Sequence, residues 1–179
     1  MAVKRIAEPA TEPISLALAR LHCRIDDNVE DELLQLWISG ARGAVERFTG
    51  RAIAIAAYEL ALDGFPVNAI EMLSPVVSIS SVRYIDGDGI ERTLDSSDYA
   101  LDNYSDPNWL LTSLTDGWPS TLAMANAVLI TFTAGYAVAP ADIRMAMLLT
   151  IGDKYRNREA GEWSPGFHSL LWPHRLIGA

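Results

Sequence analysis

Cysteine is nearly absent from this 179-residue chain, in which Cys23 is the only one. A single thiol excludes an internal disulfide and any zinc site built from several cysteines. Long hydrophobic runs are also missing, because stretches such as 52–58 and 145–149 fall far short of the roughly 20 residues that cross a bilayer. The first nine residues include two basic residues but no apolar segment. We therefore expect no signal peptide, no oxidising compartment and no membrane association.

Sequence motifs of known chemistry are absent as well. The chain has no glycine-rich dinucleotide motif, phosphate-binding loop, nucleophile elbow or zinc-protease motif. His22 and Cys23 are adjacent, and adjacent side chains point in different directions on a helix or a strand, so they do not form a base and nucleophile pair. His168 and His174 lack the spacing of metal ligands, and residues 86–89 lack the further ligands of a calcium loop. We expect no catalytic residue, no metal site and no cofactor.

Basic residues are scarce, and their distribution is uneven. The 14 Lys and Arg against 23 Asp and Glu give a net charge of −9, which argues against a general affinity for nucleic-acid backbone. Residues 52–139 hold 2 basic and 11 acidic residues, whereas residues 1–51 hold 7 and 8, and residues 140–179 hold 5 and 4. The acidic segment coincides with a change in hydrophobic pattern, which indicates two modules.

The sequence pattern of residues 1–51 predicts that they form the N-terminal helical part of a core. Ser15 is a candidate N-cap of a short helix, and Asp27 or Asn28 is a candidate cap of a longer helix that ends at Gly50. Residues 140–161 predict a further core helix that starts at Pro140. Apolar residues recur at three- and four-residue spacing in these helices. The predicted core positions are Val29, Leu33, Leu36, Trp37, Val45, Phe48, Ile143, Met147, Ile151 and Tyr155.

Residues 52–139 predict a β-rich insertion, because apolar residues alternate with polar ones and turn residues follow every eight to twelve positions. Residues 86–89, Asp-Gly-Asp-Gly, predict a tight hairpin turn. The expected strands cover residues 53–62, 69–73, 76–85, 90–94, 99–101, 109–111 and 127–133. The fold class is therefore α+β: a small helical bundle of two N-terminal helices and one C-terminal helix, with an inserted antiparallel β-rich module.

Residues 162–179 are unusually apolar for a chain end. Such a segment either packs on its own core or docks on a partner, and tryptophan and arginine are residue types that often dominate interface energetics. The candidate docking residues are Phe167, Leu170, Leu171, Trp172, Arg175, Leu176 and Ile177.

Several short motifs occur in a fixed order between residues 13 and 159. They are PISLA (13–17), RIDD (24–27), EDELL (30–34), AR (41–42), VERFTGR (45–51), LDGFP (62–66), SVRYID (81–86), DY (98–99), GWP (117–119), FTAGY (132–136), PADIR (140–144) and YRNRE (155–159). Each motif is weak alone, but the ordered set resembles the head-to-tail connector, or adaptor, proteins of long-tailed bacteriophages, prophages and gene transfer agents.

The resemblance implies a non-enzymatic structural protein of the virion neck, assembled in the host cytoplasm. It implies a ring of about a dozen copies under the portal, where it joins the DNA-filled head to the tail or to the next connector ring. The implied partners are the portal protein, a tail-side connector, stopper or tail-completion protein, and double-stranded DNA that passes through the channel without specific binding. The resemblance also implies that residues 162–179 are the segment that docks on the portal.

Two other classes of function remain open from the sequence. The first is a DNA-packaging accessory or DNA-binding factor that acts through Arg156 and Arg158, which lie in the basic cluster 154–158. The second is an enzyme with an unrecognised site, for which His22 and His168 are the candidate residues.

Overall fold

The computed structural model describes residues 2–158 and 164–176. The chain divides into two compact units. Met1–Pro9 and Ile55–Gly135 form the first, here called the β unit, and Ala10–Ala54 and Tyr136–Ala179 form the second, here called the helical unit. One unit is built mainly from helices and the other from strands, so the structure has the predicted α+β fold class. No helix among the described residues is long and apolar enough to cross a membrane.

The helical unit contains four helices within the described residues. They are α1 (Leu16–Cys23), α2 (Asp31–Thr49), α3 (Ala141–Arg156) and α4 (Pro165–Leu171), and the 3-10 turn Trp172–His174 follows α4. Ser15 caps α1 as predicted, since its Oγ accepts a hydrogen bond from the Leu18 backbone N–H at 3.2 Å. Gly50 ends α2 as predicted, with a φ of 71° that suits glycine.

The start of α2 differs from the prediction. The Asp27 side chain accepts from the Val29 backbone N–H and forms a turn, so the helix begins only at Asp31. Val29 is therefore 83% exposed, and Leu36 is 65% exposed because it lies away from the buried row of α2. The prediction of core positions was wrong at these two residues. That buried row is Leu34, Ile38, Ala41 and Val45.

The remaining predicted core residues lie in or beside the core of the helical unit. Val45, Ile143, Met147 and Ile151 are buried, and Leu33 is half-buried. Trp37, Phe48 and Tyr155 are also half-buried, and the first two pack against the buried cluster. The ring of Trp37 meets that of Tyr155 edge-on with centroids 6.3 Å apart, which joins α2 to α3.

The described residues of the β unit form eight strands, all paired antiparallel. They are β1 (Ala2–Ala7), β2 (Ala56–Leu62), β3 (Ile70–Glu71), β4 (Val76–Ile85), β5 (Glu91–Thr93), β6 (Tyr99–Asp102), β7 (Trp109–Thr112) and β8 (Val128–Ala134). A five-stranded sheet has the order β1-β2-β8-β4-β5, and a three-stranded sheet has the order β3-β7-β6. Buried and half-buried residues alternate along β8, so one face of the large sheet carries Val128, Ile130 and Phe132.

Strand β1 corrects the assignment of residues 1–51 to the helical part. Ala2–Ala7 pair with β2 from Ala2↔Ala61 to Ala7↔Ala57, and they form one edge of the large sheet. The strand depends on a partner more than 50 positions away in the sequence, which local periodicity does not reveal.

Arg42 joins three segments of the helical unit although it is only 5% exposed. Its Nε donates to Glu12 Oε2 at 2.8 Å, and its Nη1 donates to Glu46 Oε2 at 3.2 Å. The other oxygen of Glu46, Oε1, accepts from the Ile53 backbone N–H at 3.2 Å. The network ties the segment before α1 and the segment after α2 to the middle of α2.

Arg42→Met is expected to lower the free energy of unfolding by about 2–4 kcal/mol, because it leaves two poorly solvated carboxylates without their cation. Urea unfolding followed by circular dichroism measures the change. The matched control is Arg47→Met on the same helix, where the side chain is exposed, and a change below about 0.5 kcal/mol is expected there. Equal losses at both positions would contradict this role for Arg42.

Candidate functional site

The C-terminal segment is partly built into the core of the helical unit. Ser164 caps α4, since its Oγ accepts from the Phe167 backbone N–H, and Pro165 occupies the first turn. Phe167 and Leu171 are fully buried, and Leu170 is half-buried. The prediction that Phe167 and Leu171 contact a partner is therefore corrected, because they fill their own core. Of the predicted docking residues, Ile177 lies outside the described residues.

Residues 172–176 are held against the end of α2. Arg51 Nε donates to the His174 carbonyl oxygen at 2.6 Å, and the Leu176 backbone N–H donates to the Thr49 carbonyl oxygen at 2.9 Å. The Arg175 guanidinium lies 5.8 Å from the centre of the Phe48 ring. Polar and aromatic contacts thus join the segment to the end of α2.

Trp172 and Arg175 remain accessible on this fixed segment. Trp172 is 62% exposed, and the Arg175 guanidinium lies 5.6 Å from the centre of its ring. These two side chains are called the C-terminal patch below. Leu176 is half-buried beside them. The patch offers an aromatic face and a cation together, which is a combination that anchors protein interfaces.

Helix α2 presents a second accessible apolar surface. Its outer side carries Leu33 and Leu36, and Val29 of the preceding turn lies beside them. On the other side of Gln35 lies a groove of about 320 Å³, whose lining is Thr11, Glu12, Ile14, Ser15, Leu16, Gln35 and Ile38. Exposed apolar surfaces of this kind mark protein interaction sites or ligand-binding grooves.

The candidate catalytic residues lack a catalytic environment. Burial raises the pKa of the Cys23 thiol, which leaves less of the nucleophilic thiolate at neutral pH. A side chain at Gly152 would lie 2.8 Å from His22 Nε2, so Gly152 lets the imidazole pack against α3. The His168 ring packs edge-on against Phe48 with centroids 5.3 Å apart. No group of three or more His, Cys, Asp or Glu residues suited to a metal occurs in 2–158 or 164–176.

The basic cluster at the end of α3 is largely neutralised by its own surroundings. Arg156 donates to Asp153 Oδ1 at 2.8 Å, and Arg158 pairs with Glu30. The Arg158 guanidinium also lies 6.0 Å from the centre of the Trp37 ring. These contacts neutralise the positive charges with which a DNA-binding protein would contact the phosphate backbone.

The carboxylates of the β unit fall into two groups. Arg92 holds the pKa of Asp86 below its usual range, helped by backbone N–H donors of the hairpin turn, and the Ser105 hydroxyl and amide do the same for Asp102. These two side chains shape turns. The second group, which includes Asp88, Asp95 and Asp116, is exposed to solvent. With 12 acidic and 4 basic residues, the β unit carries almost the whole negative charge of the chain.

Phe167→Ala is expected to lower the free energy of unfolding by about 3–4 kcal/mol, because it opens a cavity among buried side chains. Trp172→Ala, five positions further along, is expected to change it by less than about 0.5 kcal/mol. Chemical denaturation of both variants measures the difference. Two variants of equal stability would show that α4 does not belong to the core.

Comparisons with known proteins favour a structural protein over an enzyme. The family model described as phage gp6-like head-tail connector protein matches residues 13–83. No curated protein matches the chain. Several solved structures share the fold over the whole chain.

Three of these structures come from gene transfer agent (GTA) particles. A chain from the neck of an empty GTA particle, computed with C6 symmetry, has a TM-score of 0.84 at 22% identity. A chain from the virion of a native GTA particle has a TM-score of 0.82 at 22% identity. A chain from the neck of a native GTA particle, computed with C12 symmetry, has a TM-score of 0.78 at 21% identity. Each match covers 100% of this chain and 99% of the other.

The matched family is one of structural connector proteins, so the prediction of a non-enzymatic protein is confirmed. The resemblance found in the sequence motifs is confirmed as well, because residues 13–83 match the phage gp6-like head-tail connector family model.

Proposed function

We propose that this protein is a head-to-tail connector that forms a ring of about a dozen copies under the portal of a phage-like particle. The ring joins the DNA-filled head to the tail or to a further connector ring. The observation that carries this proposal is the similarity of the whole chain, the β unit included, to chains from particles whose necks were computed with C6 and C12 symmetry. A head-to-tail contact between identical subunits closes into such a ring when the rotation between neighbours closes.

The C-terminal patch is the surface that we propose for docking on the portal. The contacts of Arg51, Thr49 and Phe48 already hold residues 172–176, so little conformational entropy is lost when a partner binds. Trp172 supplies apolar area and Arg175 supplies a charge-assisted donor. This arrangement replaces the expectation of a docking segment that includes Phe167 and Leu171.

Trp172→Ala combined with Arg175→Ala is expected to weaken binding to the cognate portal by roughly 30-fold or more, because interface anchors of these types often contribute 2 kcal/mol or more. Co-purification with the portal and biolayer interferometry measure the loss. The control is Leu21→Ala, which removes another exposed apolar side chain from the same unit and should leave binding unchanged. Portal binding at wild-type strength by the double variant would exclude the patch as the docking site.

The negative charge of the β unit has a proposed use in the same ring. Carboxylates that face a channel repel the phosphate backbone and let DNA pass without sticking. Asp116, which is exposed, is the candidate for this lining.

Asp116→Asn is therefore expected to slow the passage of DNA by roughly a few-fold, since it removes one repelling charge from each copy without removing volume. Fluorescence-detected DNA ejection from assembled particles measures the rate, with Glu32→Gln in the helical unit as the control. Ejection at an unchanged rate would count against the charged lining.

A further inference from the structure

The large sheet of the β unit has two edges that suit a head-to-tail contact. A ring of identical copies needs two different surfaces on opposite sides of each subunit, which meet in every contact. Strands β1 and β5 lie at opposite ends of the order β1-β2-β8-β4-β5. At about 4.8 Å per strand spacing they are roughly 19 Å apart, and each is an edge strand with backbone groups that face outward.

The β1 edge is basic and partly apolar. It carries Lys4 and Arg5, and Val3 and Ile6 are 41% and 49% exposed. Arg5 lies over the Tyr58 ring at 5.6 Å and also pairs with Glu8. Lys4 is the only lysine of the β unit, and within the described residues it has no ion-pair partner. An exposed strand with apolar side chains is a surface that a native protein normally covers.

The β5 edge is acidic because its own cations are already used. Arg92 Nε donates to Asp86 Oδ2 at 2.8 Å, and Arg83 lies 3.1 Å from Glu91 and 3.7 Å from Glu59. Asp88 in the hairpin turn and Asp95 after the strand are exposed, and neither has an ion-pair partner in the described part of the chain. This edge therefore presents uncompensated negative charge.

The net charge of the β unit limits how neighbouring copies can meet. Each copy brings 12 acidic and 4 basic residues in this unit, so neighbouring copies repel one another unless each contact places opposite charges together. We propose that adjacent subunits meet through their large sheets, with the basic β1 edge of one copy against the acidic β5 edge of the next. This contact rests on the proposed ring and identifies the surfaces that would close it.

Reciprocal charge reversal tests the contact on the full chain. Lys4→Glu alone, and Asp88→Lys with Asp95→Lys alone, are each expected to weaken self-association roughly tenfold. An equimolar mixture of the two variants is expected to recover assembly. In the mixture, copies of the two variants can alternate around the ring. Every contact then joins either two edges of reversed charge or two edges of unchanged charge. Sedimentation velocity and negative-stain microscopy at low and physiological salt, with the protein alone and with its portal, measure ring formation.

The matched control is Glu71→Lys with Asp106→Lys, which makes the same change in net charge as the double aspartate variant but on β3 and in the β6–β7 loop of the three-stranded sheet. It should neither weaken assembly nor complement Lys4→Glu. Rings that form equally well from every variant, or a mixture that does not recover, would overturn the edge contact and leave the ring itself standing. A wild-type protein that never self-associates, alone or with the portal, would instead overturn the proposed ring function.

Discussion

The pairing of β2 with β8 is the constraint on which the rest of the structure depends. The two strands pair without interruption from Ala56↔Ala134 to Leu62↔Val128. The chain therefore leaves the helical unit and returns to it at neighbouring points. There the Tyr136 backbone N–H donates to the Ile53 carbonyl oxygen at 3.3 Å, and Ala54 forms a parallel bridge with Tyr136. Because both ends of the insertion meet, α2 and α3 can share one core although the whole β module separates them in sequence.

This arrangement separates two tasks along one chain. The helical unit holds 10 basic and 11 acidic residues, and its buried helices give a nearly neutral body that fixes the C-terminal patch. The β unit carries the negative charge and two open sheet edges. The proposed connector role requires both properties, since a connector of this kind would have to hold its neighbours firmly without retaining the DNA that passes it.

The sequence was most informative where local chemistry determines structure. The Ser15 cap, the end of α2 at Gly50 and the full extent of β4 from Val76 to Ile85 were predictable, because capping, positive φ and alternation act over a few residues. Strand β1 was not predictable in this way, since its partner β2 is distant in sequence. Leu36 was misplaced because α2 carries apolar residues on two sides, and periodicity does not tell which side is buried.

In the C-terminal segment, too, the sequence does not tell which apolar residues are buried and which are accessible to a partner. Its apolar residues were compatible with a core and with a docking site, and the structure places only some of them in the core. Phe167 and Leu171 are buried, whereas Trp172 is exposed only one position after Leu171. Ser164 caps α4 and Pro165 occupies its first turn, and the helix buries Phe167 and Leu171 before the 3-10 turn begins at Trp172.

Electron cryomicroscopy of the full-length protein bound to its cognate portal tests the central claim most directly. The account predicts a closed ring of about a dozen copies beneath the portal, with the C-terminal patch at the portal surface. Single copies scattered on the portal, or no density for this protein in the neck of assembled particles, would contradict it.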